Sequence, residues 1–165
     1  MKNMSLLLSV LLATLSGRQV AAQSTHESIQ GVWQAVQVTL PGPTPQTINI
    51  VEPRPNLTIV TAKHYSRVQV DSVGPRPIPV DISRASADEL RAAWGPFVGE
   101  AGTYEIGVGN VITMHPIVAK NPAAMKSGAF TTWSYRIEGN TLWVTARTNL
   151  NGSVAPVIIK AIRVE

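Results

Sequence analysis

Short apolar runs follow one another along the chain, separated by stretches rich in Pro and Gly. This pattern is typical of many short β-strands joined by turns and does not favour long helices. Closing eight such strands in up-and-down order leaves no exposed sheet edge, so the expected fold class is all-β, an eight-stranded antiparallel up-and-down barrel. The predicted strands span 31–40, 56–62, 64–71, 101–108, 111–117, 129–138, 141–148 and 154–164, and the Pro-rich segments 41–55 and 72–84 are predicted loops.

One short helix is predicted between the third and fourth strands. Ser86 and Glu89 form a capping box, in which the Ser86 hydroxyl accepts from the Glu89 amide and the carboxylate reaches back. The helix then runs over 87–94, and Gly95 is predicted to end it as a left-handed cap. Trp94 in the last turn is a candidate to close over a ligand at one end of the barrel. The alternative is that Trp94 only docks the helix.

The first predicted hairpin turns at Gly109-Asn110, where a leading glycine suits a two-residue type II′ turn. In that register Tyr104 faces His115 across the two strands. A phenol and an imidazole within reach of each other can polarise a carbonyl or move a proton, so these two residues are the candidate catalytic pair. The alternative is a hydrogen bond that only satisfies two polar groups in an apolar barrel. Glu105 is predicted to point to the opposite face from His115.

The second predicted hairpin turns at Gly139-Asn140 in the same way. Its register places Trp133 and Tyr135 on an apolar, inward face. Both are candidates to bind a ligand by stacking on a flat group, with plain core filling as the alternative. The other face places Arg136 opposite Trp143 as an outer cation–π pair.

The third strand carries further candidate ligand-binding residues. Tyr65 and Arg67 share one of its faces, and His64 takes the other. Inside the barrel, Arg67 would bind a carboxylate, phenolate or enolate. On the outside it would be an ordinary solvated side chain, and the sequence leaves both placements open.

Residues 1–22 are predicted to be a cleaved signal peptide. Lys2 gives a positive start, an uncharged apolar run follows, and Val20-Ala21-Ala22 offers small residues where a signal peptidase cleaves. The apolar run is too short to span a bilayer. The chain is therefore expected to be secreted or periplasmic, with one mature domain at 23–165. The alternative is a buried N-terminal helix.

Charge and motif content argue against several classes of function. Without residues 1–22 the chain has 12 basic and 10 acidic residues and no basic cluster, so nucleic acid is not an expected partner. Cysteine is absent, which excludes thiol chemistry and disulfides. The three histidines are scattered and no phosphate-loop or hydrolase motif occurs, so neither a metal nor a cofactor is expected. In a eukaryotic export route Asn56 and Asn151 would be glycosylation acceptors.

The first and last predicted strands resemble those of the lipocalins. Gly31-Val32-Trp33, at the start of the first strand, resembles their G-x-W signature. Arg163, near the end of the last strand, is placed where that superfamily has an arginine across the tryptophan. In this arrangement Trp33 plugs the narrow end of the barrel and the guanidinium stacks on its ring.

The chain resembles the short lipocalin-like domains of bacteria and fungi over about residues 29–164, and the more specific motifs lie in its middle. His64-Tyr65-Ser66 is similar to their G-x-Y-S strand, Gly102-Thr103-Tyr104 to their G-T-Y strand and Thr113-Met114-His115 to their T-L-H strand. The chain departs from that family at Asn121-Pro122, where members usually have Asn-Trp. The ligand therefore cannot be carried over from the family.

The resemblance implies a function inside the barrel. A few small secreted fungal proteins of this lipocalin-like type look like cofactor-free cyclases of natural-product pathways, hetero-Diels–Alderases included. The first hypothesis is therefore a cofactor-free cyclase or isomerase that holds a small, apolar, unsaturated molecule and supplies one or two hydrogen bonds. The alternatives are a carrier without chemistry and a filled barrel that acts through its outer surface. The oligomeric state, a homodimer included, stays open.

Overall fold

The computed structural model describes residues 28–40, 44–49, 55–72, 74–150 and 153–165. The predicted signal peptide and Asn151 lie outside the described residues. In chain order, the described elements are β1 Gly31–Leu40, β2 Gln46–Asn49, β3 Asn56–Val60, β4 His64–Val70, α1 Ala87–Trp94, β5 Phe97–Gly107, β6 Val111–Ala119, a 3-10 helix Pro122–Met125, β7 Thr131–Glu138, β8 Thr141–Leu150 and β9 Ser153–Arg163.

Eight of the described strands close into an antiparallel barrel, as the sequence predicts. β1 and β3 to β9 pair in chain order, and β9 pairs back onto β1. The predicted loop at 41–55 is wrong in part, because Gln46–Asn49 forms β2 and pairs with Gln37–Leu40 of β1. These four residues contain no proline, so their amides remain able to donate to a neighbouring strand. β2 and β3 both run antiparallel to β1 and together act as one interrupted strand.

The two ends of the barrel differ in the length of their connections. At the end that we call the turn end, short turns at 61–63, 108–110 and 139–140 join the strands. At the opposite end, which we call the loop end, the chain makes longer connections over 71–96, which contains α1, and over 120–130.

Trp33 fills the turn end and is 1% exposed. Its indole N–H donates to the Ile29 carbonyl at 2.8 Å, and the Arg163 guanidinium lies 4.1 Å from the ring centroid. The predicted stacking of Arg163 on Trp33 is therefore present. Gly31 has φ +139°, and a Cβ there would collide with Arg163 Nη1, which explains why the chain has glycine at this position. The core around this tryptophan consists of Ile29, Trp33, Val60, Tyr65, Ile112, Met114, Leu142, Val144 and Ala161.

The register of the second hairpin is as predicted. Glu138 pairs with Thr141, and Gly139 between them has φ +56°, as the first central residue of a type II′ turn requires. Arg136 therefore lies opposite Trp143, with its guanidinium carbon 5.3 Å from the ring centroid.

The predicted register of the first hairpin is wrong by one residue. Gly107, rather than Val108, pairs with Val111, so the turn has three residues instead of two. Gly109 and Asn110 both have positive φ, at +74° and +57°, and the extra residue is accommodated there. A shift of one residue moves every following side chain to the other face of the sheet.

Helix α1 is fixed at both ends. The capping box predicted at Ser86 and Glu89 is present. Gly95 does not form a left-handed cap: its φ is −51°, and its amide continues the helix by donating to Arg91. Lys120 satisfies the free carbonyls instead, since its ammonium donates to Trp94, to Gly95 at 2.9 Å and to Phe97 at 2.8 Å.

Candidate functional site

Alternate residues of β4 carry polar side chains into the barrel. Tyr65 is 3% exposed and belongs to the core, so Arg67, two residues further along the strand, faces the same interior. This settles the choice that the sequence leaves open for Arg67. The residue opposite Arg67 on β5 is Glu100, which therefore also points inward.

Arg67, Glu100, Tyr65 and Trp133 form what we call the polar cluster. Arg67 Nη2 lies 3.3 Å from Glu100 Oε1, and both side chains are largely buried, at 20% and 15% exposure. The guanidinium carbon of Arg67 is also 4.9 Å from the centroid of the Trp133 ring. β4 and β7 are not neighbours in the sheet, so this cation–π contact crosses the interior of the barrel.

Two hydrogen-bond donors of the polar cluster have no partner among the described residues. They are the Tyr65 hydroxyl and the Arg67 Nε–H group, and both atoms are buried. A buried donor without a partner costs about 1–3 kcal/mol of folding free energy. Folded proteins leave few such groups, so two of them side by side on one strand face mark a place where an acceptor is missing.

The phenol of Tyr65 is held in its neutral form. Burial raises its pKa to about 12, and the nearby Glu100 carboxylate acts in the same direction, while Arg67 acts against them. The Tyr65 hydroxyl therefore stays protonated well into the alkaline range, and in that form it can both donate and accept a hydrogen bond.

A small cavity lies nearer the loop end of the barrel than the polar cluster, and none of the four residues of the cluster lines it. Its volume is about 90 Å³. Gln69, which follows Arg67 on the inward face of β4, is part of its wall. The cavity is lined by Ala35, Val38, Asn56, Gln69, Val70, Asp71 and Ile159.

The side chain of Asn56 is an integral part of the barrel wall. Its Oδ1 accepts from the Ala35 amide at 2.6 Å, and its Nδ2 donates to the Ala35 carbonyl at 3.0 Å. Ala35 adjoins the bulge of β1, between the residues that pair with β3 and those that pair with β2. A glycan on Nδ2, as predicted for a eukaryotic export route, would replace one of its two hydrogens and compete with this contact to β1.

The predicted catalytic pair is not assembled. Tyr104 pairs with Met114 and packs against the core, where its hydroxyl donates to the Thr61 carbonyl at 2.7 Å. His115 pairs with Thr103 on the other face of the sheet. The prediction is wrong because the turn at 108–110 has three residues.

His115 and Glu105 lie on the same outer face of the sheet, whereas the sequence predicts opposite faces for them. Its Nε2 lies 4.0 Å from Glu105 Oε1, and its ring centroid is 6.2 Å from that of Phe130. The same one-residue difference in the hairpin explains both placements. His115 pairs with Thr103 instead of Tyr104, and Glu105 lies on the same face as Thr103.

Tyr135 and Trp94 lie outside the polar cluster. Tyr135 packs against the core, and burial raises the pKa of its phenol. Burial is also the largest cause of the raised pKa of the Tyr104 phenol. Trp94 is 51% exposed and borders a surface groove of about 330 Å³. The other residues that line this groove are Arg76, Pro77, Ile78, Pro79, Ile82 and Ala93, none of which belongs to a strand of the barrel. Trp94 therefore lies on the surface of the described structure and not inside the barrel.

Sequence reasoning missed Glu100. The predicted fourth strand begins at residue 101, whereas β5 begins at Phe97, so Glu100 was left outside the sheet. The signal that would have found it is the requirement of a buried arginine for a carboxylate partner.

The described residues contain no group of three His, Asp or Glu side chains placed to hold a metal ion, and no helix among them is long and apolar enough to cross a membrane. Comparison of the chain with protein-family models and with curated proteins gives no match.

Proposed function

We infer that the protein binds a small hydrophobic molecule inside its barrel, on the loop-end side of the polar cluster. The observation that carries this inference is the pair of buried donors, Tyr65 Oη and Arg67 Nε, that have no acceptor among the described residues. An acceptor atom of a ligand would satisfy both. An ordered water would satisfy them as well, and the experiment below separates the two.

The surroundings of the donors support an apolar ligand with few polar atoms. The cavity toward the loop end mixes aliphatic groups of Ala35, Val38 and Ile159 with a few polar groups, which are the amides of Asn56 and Gln69 and the carboxylate of Asp71. Ligand sites are typically apolar with a small number of placed polar groups. A cavity of about 90 Å³ holds a head group of several atoms, so a larger ligand would extend from it toward the loop end.

Export and a place in the lipocalin-like family belong to the same proposal. The apolar segment within residues 1–22 supports secretion. The stacking of Arg163 on Trp33 and the eight-stranded closure support the family likeness. A secreted barrel with one interior site would serve as a carrier or as an enzyme for a small molecule.

A cofactor-free cyclase or isomerase is the second candidate. The observation that favours it is a neutral phenol beside a largely buried guanidinium, since two such donors can polarise the carbonyl of an unsaturated ligand. Tyr104 and His115 play no part in this version. Conversion of a bound molecule's open-chain or isomeric precursor by the purified protein would establish the enzyme, and recovery of the precursor unchanged would leave the carrier.

The test compares two Arg–Glu pairs of the same chain. Arg67→Met/Glu100→Gln removes the inner pair together, which avoids leaving one buried charge. Arg136→Met/Glu138→Gln removes the ion pair of the outer face and is the matched control. Organic extracts of each purified, folded protein are then examined by mass spectrometry for small molecules.

We expect a hydrophobic compound with the wild type and the outer variant, and little or none with the inner variant. Equal amounts with all three proteins would place the ligand elsewhere. Absence of any compound, together with no thermal shift from a panel of hydrophobic molecules, would support a barrel whose donors are satisfied by water.

A further inference from the structure

We propose that the ligand presents a neutral carbonyl-type oxygen to Tyr65 Oη and Arg67 Nε, and that the site discriminates against carboxylates. The proposal rests on the binding function inferred above and adds the chemical class of the ligand. It comes from what the unpartnered groups donate and from how the charge of the polar cluster is already balanced.

The first step concerns the direction of the hydrogen bonds. Arg67 Nε–H can only donate, so its missing partner must be an acceptor, whereas the neutral phenol of Tyr65 can donate to the same atom. The two residues are separated by two positions on one strand face, so their backbones lie about 7 Å apart and both side chains enter the same part of the interior. The missing group is therefore an acceptor, such as a ketone, an enone or an ester oxygen.

The second step concerns charge. The Arg67 guanidinium already has a carboxylate, Glu100, at 3.3 Å, so the pair is neutral as a whole. A carboxylate ligand would bring a second anion to one cation in a space shielded from water, where like charges repel strongly. A neutral acceptor makes the same hydrogen bonds without that repulsion.

The third step concerns rigidity. Trp133 covers one side of the Arg67 guanidinium from the opposite wall, and Glu100 holds its Nη2 end. These two contacts fix the direction of Nε–H, so a donor is already in place before a ligand arrives. Fixed donors lower the cost of binding, because little side-chain freedom remains to be lost.

The test uses three probes of nearly equal shape: benzylideneacetone, trans-cinnamate and trans-β-methylstyrene. The first carries a ketone, the second a carboxylate, and the third has no oxygen. Affinities are measured by ligand-observed NMR with the full chain. We expect the ketone to bind about tenfold more tightly than either other probe, since one or two hydrogen bonds to buried donors separate them.

Two variants connect the preference to the polar cluster. Tyr65→Phe should weaken ketone binding about tenfold and leave the hydrocarbon unchanged, whereas Tyr104→Phe, the same change at the turn end, should alter neither. Glu100→Gln should shift the preference toward trans-cinnamate, because Arg67 then lacks its counter-charge. The infrared stretch of carbonyl-13C-labelled benzylideneacetone should move to lower wavenumber in the wild type and return toward its apolar-solvent value in Tyr65→Phe.

The outcomes separate this proposal from the binding function. Tighter binding of trans-cinnamate by the wild type would overturn the neutral-acceptor proposal and leave the binding function intact. Equal affinities for the ketone and the hydrocarbon would do the same. Failure of all three probes to bind would count against both. Glu100→Gln that folds but keeps the wild-type preference would show that the charge balance does not select the ligand.

Discussion

The two halves of the barrel interior treat their polar groups differently. At the turn end, Trp33 Nε1 donates to Ile29 at 2.8 Å and Tyr104 Oη donates to Thr61 at 2.7 Å. In the polar cluster, Tyr65 Oη and Arg67 Nε are buried without an acceptor among the described residues. The first arrangement satisfies its polar groups within the fold, while the second leaves two of them unsatisfied. The two regions share one core, since Tyr65 of the polar cluster also belongs to the hydrophobic core around Trp33.

Removing Trp33 from the turn end should lower the free energy of unfolding more than any of the other substitutions below. Trp33→Ala should lower the free energy of unfolding by about 3–5 kcal/mol, because it empties the most deeply buried position of the core. Trp143→Ala, the same change on the outer face, should cost clearly less. Urea denaturation followed by circular dichroism measures both, and equal losses would contradict the assignment of the core to Trp33.

Removing one charge of the inner ion pair should have the next largest effect. Glu100→Gln leaves the Arg67 guanidinium buried without a counter-charge and should cost about 3 kcal/mol of unfolding free energy. The double variant Arg67→Met/Glu100→Gln should recover most of that loss. If urea denaturation shows the single and double variants to be equally unstable, packing rather than charge balance dominates at this position.

Alkaline pH should weaken the protein through its buried phenols. The folded-state pKa of Tyr65, about 12, lies above its ordinary value of 10. The neutral Tyr65 phenol therefore makes its full contribution to the free energy of unfolding below pH 10. This contribution is lost as the pH rises from 10 through 12, by on the order of 2 kcal/mol. Tyr65→Phe should reduce this loss. Thermal unfolding at several pH values measures the effect, and an unchanged slope in the variant would refute it.

The smallest expected effect is a difference in direction between two Tyr→Phe changes, one at the turn end and one in the polar cluster. Tyr104→Phe removes a satisfied hydrogen bond and should destabilise the ligand-free protein by about 1 kcal/mol. Tyr65→Phe removes a hydroxyl without a partner and should leave stability equal or slightly higher. Paired urea denaturation curves show the difference. Equal destabilisation by both changes would mean that the Tyr65 hydroxyl has an acceptor in the free protein, such as a bound water.

Local sequence signals predicted the parts of the fold that depend on local geometry. Gly139-Asn140 specifies a two-residue turn, and its hairpin has the expected register. The capping box at Ser86 and Glu89 starts α1 as expected. Gly31 and Trp33 mark the turn end, where Arg163 closes over the indole. In each case the residues that determine the structure lie close together in the chain or belong to one recurrent packing arrangement.

The parts that could not be predicted depend on single-residue shifts and on distant contacts. Gly109-Asn110 accommodates a turn of either two or three residues, and only packing of the whole sheet selects between them. Because the turn has three residues, Tyr104 and His115 lie on opposite faces of the sheet. The contact of Arg67 with Trp133 joins strands that are not neighbours, so no pairing rule along the sequence reveals it.

The amide of Asn56 has a consequence for how this barrel can vary. A single side chain takes the place of a peptide group beside Ala35, so the sheet remains joined there without a backbone partner. The number of residues between β2 and β3 is then free of the register that constrains an ordinary hairpin. Insertions or deletions in that connection should be tolerated in related chains that keep Asn56, which makes it a natural position for diversifying the entrance to the cavity while the rest of the barrel is preserved.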